Sequence, residues 1–401
     1  MKKVIFVLSF GTVLLFASTA STAQQTTAGT SVETKKPNSD YKPAFPGQTR
    51  ITAVTTKTPY EGKVITSSLR SPWGIKSLPD GRFIVTEKAG TIRIVSASGE
   101  VGEPINGVPK VNSAGQGGLL GICLDPDFKS NKMVYWAFSE PHDEGTVTSV
   151  AKGKLSADEK TLENVTVIYR ALPIYKGTLH YGGRVLFSKD GNLFLSTGER
   201  SDIETRPQAQ DLNSGLGKII RITKDGKPAS GNPFADKARP EMYSYGHRNA
   251  QGIAFHPTTG DLWEAEFGPR GGDEVNRIEA GKNYGWPTIT YGIEYRGDKI
   301  GDAIQQKDGL EQPVYYWDPV ISPSGITFYD GSAIPEWKNN LFIAALSGMH
   351  VCRLVIENNK VTGEERLLSE EKQRFRDITQ GTDGALYAVT DQGRLYRIGK
   401  K

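Results

Sequence analysis

One pattern recurs along the chain: a short apolar strand, a turn rich in Pro, Asp and Gly, and a second strand that ends near a small or acidic residue. In the clearest copy, Gly182–Arg200, alternating apolar residues flank an Asp-Gly turn, the strongest short-range signal of a β-hairpin. Six copies occur, and they begin at Ser71, Gly118, Gly182, Asn249, Ser322 and Arg374. Sheet-forming repeats spaced by about 45 to 75 residues are typical of radial or solenoid arrays. The sequence therefore predicts an all-β fold, a six-bladed β-propeller with four-stranded antiparallel blades, and a β-sandwich is the alternative.

Closure of the predicted ring needs one more strand. Arg50–Thr55 has the pattern of a lone strand ahead of the first repeat, and the last repeat ends with the strand-like segment Arg394–Ile398 almost at the C-terminus. Pairing a strand from one end of the chain with the blade made by the other end removes an exposed sheet edge. We predict that Arg50–Thr55 completes the last blade in this way.

The N-terminal residues have the composition of an export signal. Two lysines precede the apolar run Val4–Phe16, and small residues follow up to Ala23. This order describes a cleaved secretory signal, and the run is too short to span a bilayer comfortably. The next residues are mostly Thr, Ser, Lys and Pro, which bury too little apolar surface to order themselves. We predict a signal peptide over 1–23, a disordered linker over 24–47, a propeller domain over 48–401, and a periplasmic or secreted location.

Net charge and cysteine content exclude several classes of function. The formal net charge of +4 includes five lysines that precede residue 48, so the predicted propeller is close to neutral. A near-neutral domain argues against a nucleic-acid partner and against binding to a membrane surface, and no integral membrane segment is predicted. The two cysteines, Cys123 and Cys352, lie in apolar strand contexts, which favours two buried free thiols over a disulfide or a metal pair.

Several polar motifs lie where loops should converge on the channel of a propeller, although they are distant in sequence. The candidates are Gln116 in GQGGLLG, His180 in HYGGR, Arg248 and Asn249 in GHRNAQG, Gly268 and Pro269 in EFGPRGGDE, and Arg374 and Arg376 in QRFRD. Each has a plainer structural interpretation, such as a turn histidine or a surface ion pair. Together they suit a planar polyanion, because arginines bind carboxylates bidentately, and a hard cation such as calcium, because exposed carbonyl oxygens are its ligands.

These motifs, together with KNYGWP at Lys282–Pro287, occur in one order from about Ser71 to Lys400. In this set and order the chain resembles the soluble quinoprotein aldose sugar dehydrogenases of the glucose/sorbosone dehydrogenase family. The resemblance implies a six-bladed propeller that binds pyrroloquinoline quinone (PQQ) and calcium (Ca2+). It also implies oxidation of an aldose sugar at C1 to a lactone, with electrons passed to a soluble or membrane-linked acceptor.

The resemblance also implies roles for individual residues. His180 would be the general base, taking the proton of the anomeric hydroxyl while C1 gives hydride to the quinone, and Arg248 would stabilise the charge that develops there. Both would also contact the cofactor. The remaining implied ligands are Gln116 and Asn249 for PQQ, Arg374 and Arg376 for its carboxylates, the carbonyls of Gly268 and Pro269 for the catalytic calcium, and Asp273, Glu274 and Tyr284 for a structural calcium.

Two positions depart from the family pattern. Ser347 stands where a lysine that contacts the cofactor is expected, and Leu179 stands where glucose-specific relatives carry an aspartate beside the histidine. The sequence therefore leaves open what orients His180, and it favours the broader aldose specificity. Three alternatives remain: a dehydrogenase of the same fold acting on a non-sugar aldehyde, a cofactor-less propeller that binds carbohydrate or protein, and a calcium-dependent lactonase. Ser347 favours the second, whereas the third would need several inward carboxylates around one metal.

Overall fold

The computed structural model describes Met1 and residues 30–401, so the predicted signal peptide lies outside the described residues apart from Met1. Six small antiparallel sheets form a ring, and the predicted six-bladed β-propeller is confirmed. The first strand of each repeat is the innermost, and each innermost strand packs against that of the next blade. None of the helices in the described part of the chain is long and apolar enough to cross a membrane.

The strands are numbered in chain order, and each blade is given from the channel outward. Blade I contains β2 (Pro72–Ser77), β3 (Phe83–Glu87) and β4 (Thr91–Val95), and blade II contains β5 (Leu119–Leu124), β6 (Met133–His142), β7 (Gly145–Leu155) and β8 (Leu162–Arg170). Blade III contains β9 (Gly182–Phe187), β10 (Leu193–Thr197), β11 (Lys218–Ile222) and β12 (Met242–Tyr245), and blade IV contains β13 (Ala250–Phe255), β14 (Leu262–Glu266), β15 (Asp273–Ile278) and β16 (Tyr315–Trp317). Blade V contains β17 (Pro323–Phe328), β18 (Leu341–Ala345), β19 (His350–Glu357) and β20 (Lys360–Leu367), and blade VI contains β21 (Phe375–Gln380), β22 (Leu386–Thr390), β23 (Leu395–Lys400) and β1 (Tyr60–Thr66). The connections carry α1 (Phe128–Asn131) and 3₁₀ turns at Arg206–Ala209, Pro335–Trp337 and Ser369–Glu371.

Blade I differs from the predicted four-stranded pattern, because its sheet has three strands. Residues 101–105 take the fourth position. They join the sheet through a bridge between Val101 and Val95 and through a hydrogen bond that the Ile105 amide donates to the Ile92 carbonyl. Pro104 has no N–H to donate to a ladder. The pairing at this edge is therefore interrupted, and a continuous fourth strand does not form.

The ring closes as predicted, but with a different segment. β1 pairs antiparallel with β23, so a strand from the N-terminal side completes blade VI. The prediction that Arg50–Thr55 supplies this strand was wrong: Ala53 forms a bridge to Glu364 in blade V instead. Thr56 donates its amide and hydroxyl to the Glu365 carboxylate at 2.7 and 2.6 Å, which fixes this segment against blade V. The chain reaches the last blade only after that anchor.

Residues 30–47 lie against the propeller at several points. The backbone amides of Asn38 and Ser39 donate to the Asp318 carboxylate at 2.9 and 3.1 Å, and the Glu33 carboxylate accepts from Arg366 at 2.9 Å. The division into signal, linker and propeller stays a prediction. The described part of the predicted linker nevertheless forms specific contacts with the loop after β16 and with blade V.

Aromatic and aliphatic side chains fill the space between blades. Between blades V and VI, Trp337 is completely buried and packs on Tyr60, Tyr329 and Phe342, with ring centroids 4.9 to 5.6 Å apart. Each large apolar side chain buried in this way contributes about 1.5–3 kcal/mol of stability. Cys123 and Cys352 are buried and unpaired, so the prediction of two free thiols is confirmed.

Candidate active site

His180 lies two residues before β9, and the hairpin of blade III places a carboxylate opposite it. Gly182 pairs with Thr197 in antiparallel register, so His180, two residues before Gly182, lies opposite Glu199, two residues after Thr197. The histidine Nδ1 and the glutamate Oε1 are 2.6 Å apart. The backbones approach so closely that a Cβ on Gly198 would stand 2.1 Å from the His180 carbonyl oxygen, so only glycine fits there. Glu199 therefore orients His180.

The imidazole of His180 is buried and neutral. Only 4% of the residue is exposed, and this burial lowers the pKa of His180 from 6.5 to about 4. The Arg248 guanidinium lowers the pKa further, while the Glu199 carboxylate opposes both effects. A neutral ring satisfies a carboxylate only by donating from Nδ1, so Nε2 keeps its lone pair. The pair therefore presents one proton-accepting nitrogen.

Two amide side chains hold the turn that carries the histidine. Gln116 Oε1 accepts the backbone N–H of His180 at 2.9 Å, and Asn249 Oδ1 accepts that of Gly182 at 3.0 Å. The Nδ2 group of Asn249 is buried and has no hydrogen-bond partner among the described residues. The structure thus brings Gln116, His180 and Asn249 together and leaves one amide donor for a ligand.

Arg248 is anchored by the end of blade IV. Glu266, the last residue of β14, accepts the backbone amides of Arg248 and Asn249. Arg248 Nη1 donates to the carbonyls of Phe267 and Gly268 at 3.0 and 2.8 Å. Its Nε is buried and unpartnered in the part of the chain that the structure describes. The guanidinium is therefore fixed by one nitrogen and keeps donors for a further group.

A cavity of about 320 Å³ opens at the end of the channel, and we call it the channel cavity. Its lining is Ser71, Pro72, Trp73, Lys88, Gly115, Gln116, Gln251, Phe267, Leu346, Arg374, Arg376 and Asp391. The volume falls at the lower end of the range for small-molecule sites. The predicted residues Gln116, Arg374 and Arg376 thus line one cavity. His180 adjoins this cavity, because its backbone amide donates to the Gln116 side chain.

The channel cavity is positively charged. Arg374 and Arg376 both donate to Asp391, with nitrogen to oxygen distances of 2.8 to 3.1 Å. Burial by itself would raise the pKa of Asp391, but Arg376 and Arg374 lower it overall. Three cationic side chains, the two arginines and Lys88, stand against this one carboxylate. An anionic ligand with several carboxylates matches such a lining.

The turn after β14 contains the predicted carbonyl ligands Gly268 and Pro269. The Gly268 amide donates to Asp273 Oδ1 at 2.8 Å, and the other carboxylate oxygen of Asp273 accepts the amides of Ile321 and Ser322 at 2.7 and 2.6 Å. Burial raises the pKa of Asp273 to about 7, and the three backbone amides oppose this effect. In this geometry Asp273 shapes the turn, and its assignment to a calcium ion stays a prediction.

Glu274 and Tyr284 line a second, much smaller void of about 10 Å³, which also borders Arg248, Glu266 and Gly268. This volume corresponds to about one water molecule or one ion. Burial, and then the nearby Glu266 charge, raise the pKa of Glu274 well above its ordinary value. The phenol of Tyr284 donates to the Arg277 carbonyl at 2.7 Å. Glu274 and Tyr284 thus lie together, apart from the arginines of the channel cavity.

Beside this void is a buried polar cluster that no sequence motif predicts. Ligand atoms of His247, Glu264 and Glu266 lie within 4.8 Å of one another. Asn276 Nδ2 joins them to Glu274, at 3.1 Å from Glu264 and 3.4 Å from Glu274. Within residues 30–401, Glu264 Oε1, Asn276 Oδ1 and His247 Nδ1 are buried without a hydrogen-bond partner. The two carboxylates and the Asn276 amide oxygen are ligands that a hard cation takes, whereas the His247 imidazole is not. The cluster adjoins Glu274, and whether it belongs to the predicted structural-calcium site stays a prediction.

The two departures from the family pattern also have defined positions. The Ser347 hydroxyl is 2.7 Å from that of Ser322 and is absent from the lining of the channel cavity. Leu179 is partly exposed, and its carbonyl accepts from Arg200 at 3.0 Å. Glu199 therefore supplies the carboxylate that the sequence analysis could not assign.

The fold and the site define a class of protein: a six-bladed propeller with a buried histidine–carboxylate pair beside a cationic channel cavity. The chain belongs to the Glucose / Sorbosone dehydrogenase family, whose sequence pattern matches residues 69–397. The resemblance inferred from the motifs is confirmed.

Individual relatives agree with this assignment. The chain is 40% identical to an aldose sugar dehydrogenase of Escherichia coli over 84% of this chain and 92% of the relative. The apo structure of the soluble aldose sugar dehydrogenase of Escherichia coli superposes with a TM-score of 0.82 at 38% identity, over 85% of this chain and 100% of that one. The PQQ-bound form of an aldose sugar dehydrogenase from Streptomyces coelicolor gives a TM-score of 0.71 at 31% identity, over 86% and 99%.

Proposed function

We propose that the protein is a calcium-dependent quinoprotein dehydrogenase that oxidises aldose sugars at C1 to lactones. The observation that carries the proposal is the neutral, buried His180, held by Glu199 and linked through Gln116 to a cavity lined by cationic side chains. A general base needs an unprotonated nitrogen at working pH, and His180 has one. The relatives named as aldose sugar dehydrogenases, one of them PQQ-bound, support the substrate class and the cofactor.

The residues present fit PQQ. Arg374 and Arg376 would hold its carboxylates, and the unpartnered Asn249 Nδ2 and Arg248 Nε would be donors to it, with Gln116 beside them. When bound, PQQ supplies the hydride acceptor, which no protein side chain can be. Calcium would bind the carbonyls of Gly268 and Pro269, and since the Gly268 carbonyl also accepts from Arg248 Nη1, it would contact the ion through its second lone pair. A second calcium would bind near Asp273, Glu274 and Tyr284.

In this proposal His180 Nε2 takes the proton of the anomeric hydroxyl as hydride leaves C1, so that the C–O bond becomes the carbonyl of the lactone. Glu199 keeps the ring in the Nδ1–H tautomer and stabilises the imidazolium that forms. Arg248, fixed by Glu266 and by two carbonyls, places positive charge where negative charge develops. We further propose export by the 1–23 signal and an electron acceptor that is soluble or membrane-linked.

The test is a dye-linked dehydrogenase assay on the purified protein, with and without PQQ and Ca2+, against a panel of aldoses and simple aldehydes. Oxidation of aldoses that requires both additions, with a lactone as product, supports the proposal. Turnover of aldehydes alone would favour the same-fold dehydrogenase acting on a non-sugar substrate. Neither turnover nor saturable PQQ binding would contradict the proposal and favour the cofactor-less binding propeller.

The pH dependence of the reaction follows from the pKa of His180. Since the folded-state pKa of about 4 lies below the ordinary 6.5, the base stays unprotonated down to mildly acidic pH. We expect kcat/KM to be flat from pH 7 to about 5 and to fall with a midpoint near 4. A midpoint near 6.5 would contradict the buried neutral histidine.

Protonation of His180 also affects the stability of the fold between pH 6.5 and about 4. Between the two pKa values the unfolded chain binds a proton that the folded chain does not, so this contribution to stability decreases as the pH falls from 6.5 to about 4. Circular dichroism at each pH separates loss of the fold from protonation of the base.

Glu199→Gln should lower kcat by about 10²- to 10⁴-fold, because an amide that donates to Nδ1 favours the wrong tautomer of His180. The matched control is Glu87→Gln, since Glu87 is a buried carboxylate at the end of the second strand of blade I but binds Arg93 rather than a histidine. Steady-state kinetics, with PQQ affinity measured alongside, checks the result. Equal losses of kcat in the two variants would show that Glu199 has no orienting role.

A further inference from the structure

Lys88 is held at the wall of the channel cavity by its backbone. It directly follows β3, its amide donates to the Ser71 carbonyl at 3.0 Å, and its carbonyl accepts the Leu119 amide at 3.0 Å. Gly118 packs so closely that a Cβ there would be 2.2 Å from the Lys88 carbonyl oxygen. The residue is thus fixed between blades I and II, where its side chain lines the cavity together with Arg374 and Arg376.

The ammonium of Lys88 is not neutralised by a carboxylate. Its Nζ donates to the Gly115 carbonyl at 2.7 Å, and none of the salt bridges within residues 30–401 includes it. Arg374 and Arg376, by contrast, share Asp391. Burial and the Arg376 charge lower the pKa of Lys88, as expected for a cation held near other cations without an anion of its own. An ammonium has three donors, so two remain for a ligand.

The position of Ser347 suggests what the unpaired charge of Lys88 binds. The family resemblance places a cofactor-contacting lysine at residue 347, but Ser347 is uncharged and pairs with Ser322. A cofactor with several carboxylates therefore loses one cation from blade V. Lys88 approaches the same cavity from blade I and restores the number of cations.

We propose that Lys88 binds a carboxylate of the cofactor and takes the place of the cation missing at Ser347. This inference rests on the proposed function and adds a cofactor-binding residue to it. A competing, purely structural role is that Lys88 tethers the Gly115–Gln116 turn through its hydrogen bond to the Gly115 carbonyl. The two roles differ in whether the positive charge or only a hydrogen-bond donor is needed.

The experiment titrates PQQ, in the presence of Ca2+, into the protein and its variants, and follows cofactor absorbance to obtain Kd. A charge-assisted hydrogen bond predicts a Kd about 10- to 100-fold higher in Lys88→Met, with kcat at saturating PQQ changed much less. Lys110→Met, at an exposed lysine of the same connection between blades I and II, is the control and should bind like the wild type. Equal Kd values for Lys88→Met and Lys110→Met would overturn the inference.

Two further variants separate charge from tethering. Lys88→Gln retains a donor for the Gly115 carbonyl but has no charge, so it should bind PQQ as weakly as Lys88→Met. Wild-type PQQ affinity in Lys88→Gln would show that Lys88 only tethers the turn, and it would overturn the inference. Adding Ser347→Lys to Lys88→Met should recover most of the lost affinity, and no recovery would contradict the exchange of cations. Absence of saturable PQQ binding by the wild type would overturn the proposed function itself, and the inference with it.

Discussion

His180→Gln should lower kcat by about 10²- to 10⁴-fold, because the variant lacks the base that takes the anomeric proton. Glutamine can still donate to Glu199 Oε1, so the buried carboxylate keeps a partner and the fold should be retained. PQQ affinity should change by no more than about tenfold, since one neutral hydrogen bond at most is lost. Stopped-flow reduction of the bound cofactor by excess aldose measures the chemical step directly.

The control for this prediction is His142→Gln, because His142 lies on blade II with its side chain 31% exposed, apart from the channel cavity. It should react at the wild-type rate. If His180→Gln reduced the cofactor within about threefold of that rate, a base catalyst at this position would be excluded, because general bases contribute far more.

Trp337→Ala should reduce the free energy of unfolding by about 3–5 kcal/mol. The indole is completely buried among Tyr60, Tyr329 and Phe342, and its Nε1 donates to Thr56 Oγ1 at 2.7 Å. The substitution therefore leaves a cavity next to the first residue of β1, the strand that closes the ring. Urea denaturation gives the free energy, and hydrogen exchange of the β1 amides should rise in parallel.

Two variants bracket the effect of Trp337. Trp337→Phe keeps a ring in the cluster, so its free energy of unfolding should fall much less than that of the alanine variant. Ile203→Ala, at a residue 76% exposed, should have a free energy of unfolding within about 0.5 kcal/mol of the wild type. A loss below about 1 kcal/mol in Trp337→Ala would mean that this cluster does not stabilise the closure of the ring.

The blades could be predicted from sequence because each begins with a local hairpin. The predicted repeats start within one residue of the innermost strands, which begin at Pro72, Leu119, Gly182, Ala250, Pro323 and Phe375. Alternation of apolar residues and a turn of Pro, Asp and Gly are properties of neighbouring residues, so they are visible without any long-range contact.

The closing strand was assigned to the wrong segment for a physical reason. Arg50–Thr55 and Tyr60–Thr66 are both short and have strand-like composition, and which of them reaches blade VI depends on where the chain is anchored first. The carboxylates of Glu365 and Glu336, which bind residues 56–58, lie more than 270 positions further along. No pattern around residue 50 contains that information.

The carboxylates at the ends of the second strands also could not be assigned partners from sequence. Glu87, Glu199, Glu266 and Asp391 each stand at or just after the end of the second strand of a blade, where the repeat pattern predicts small or acidic residues. The sequence does not show which groups these carboxylates bind. Glu199 contacts His180 through the register of the blade III hairpin, whereas Glu266 binds the backbone of Arg248 in the connection between blades III and IV. The position of Lys88 could not be predicted either, since a lysine after a strand has no distinctive pattern.

The sequence by itself determined the all-β class, the six blades, the neutral propeller and the family, because these depend on local periodicity, composition and the order of motifs. Only the tertiary structure decided which carboxylate orients His180, which strand closes the ring and which cations line the channel cavity. These features join residues that are distant in sequence, and their energies depend on register, burial and distances of about 3 Å that only the packed blades define.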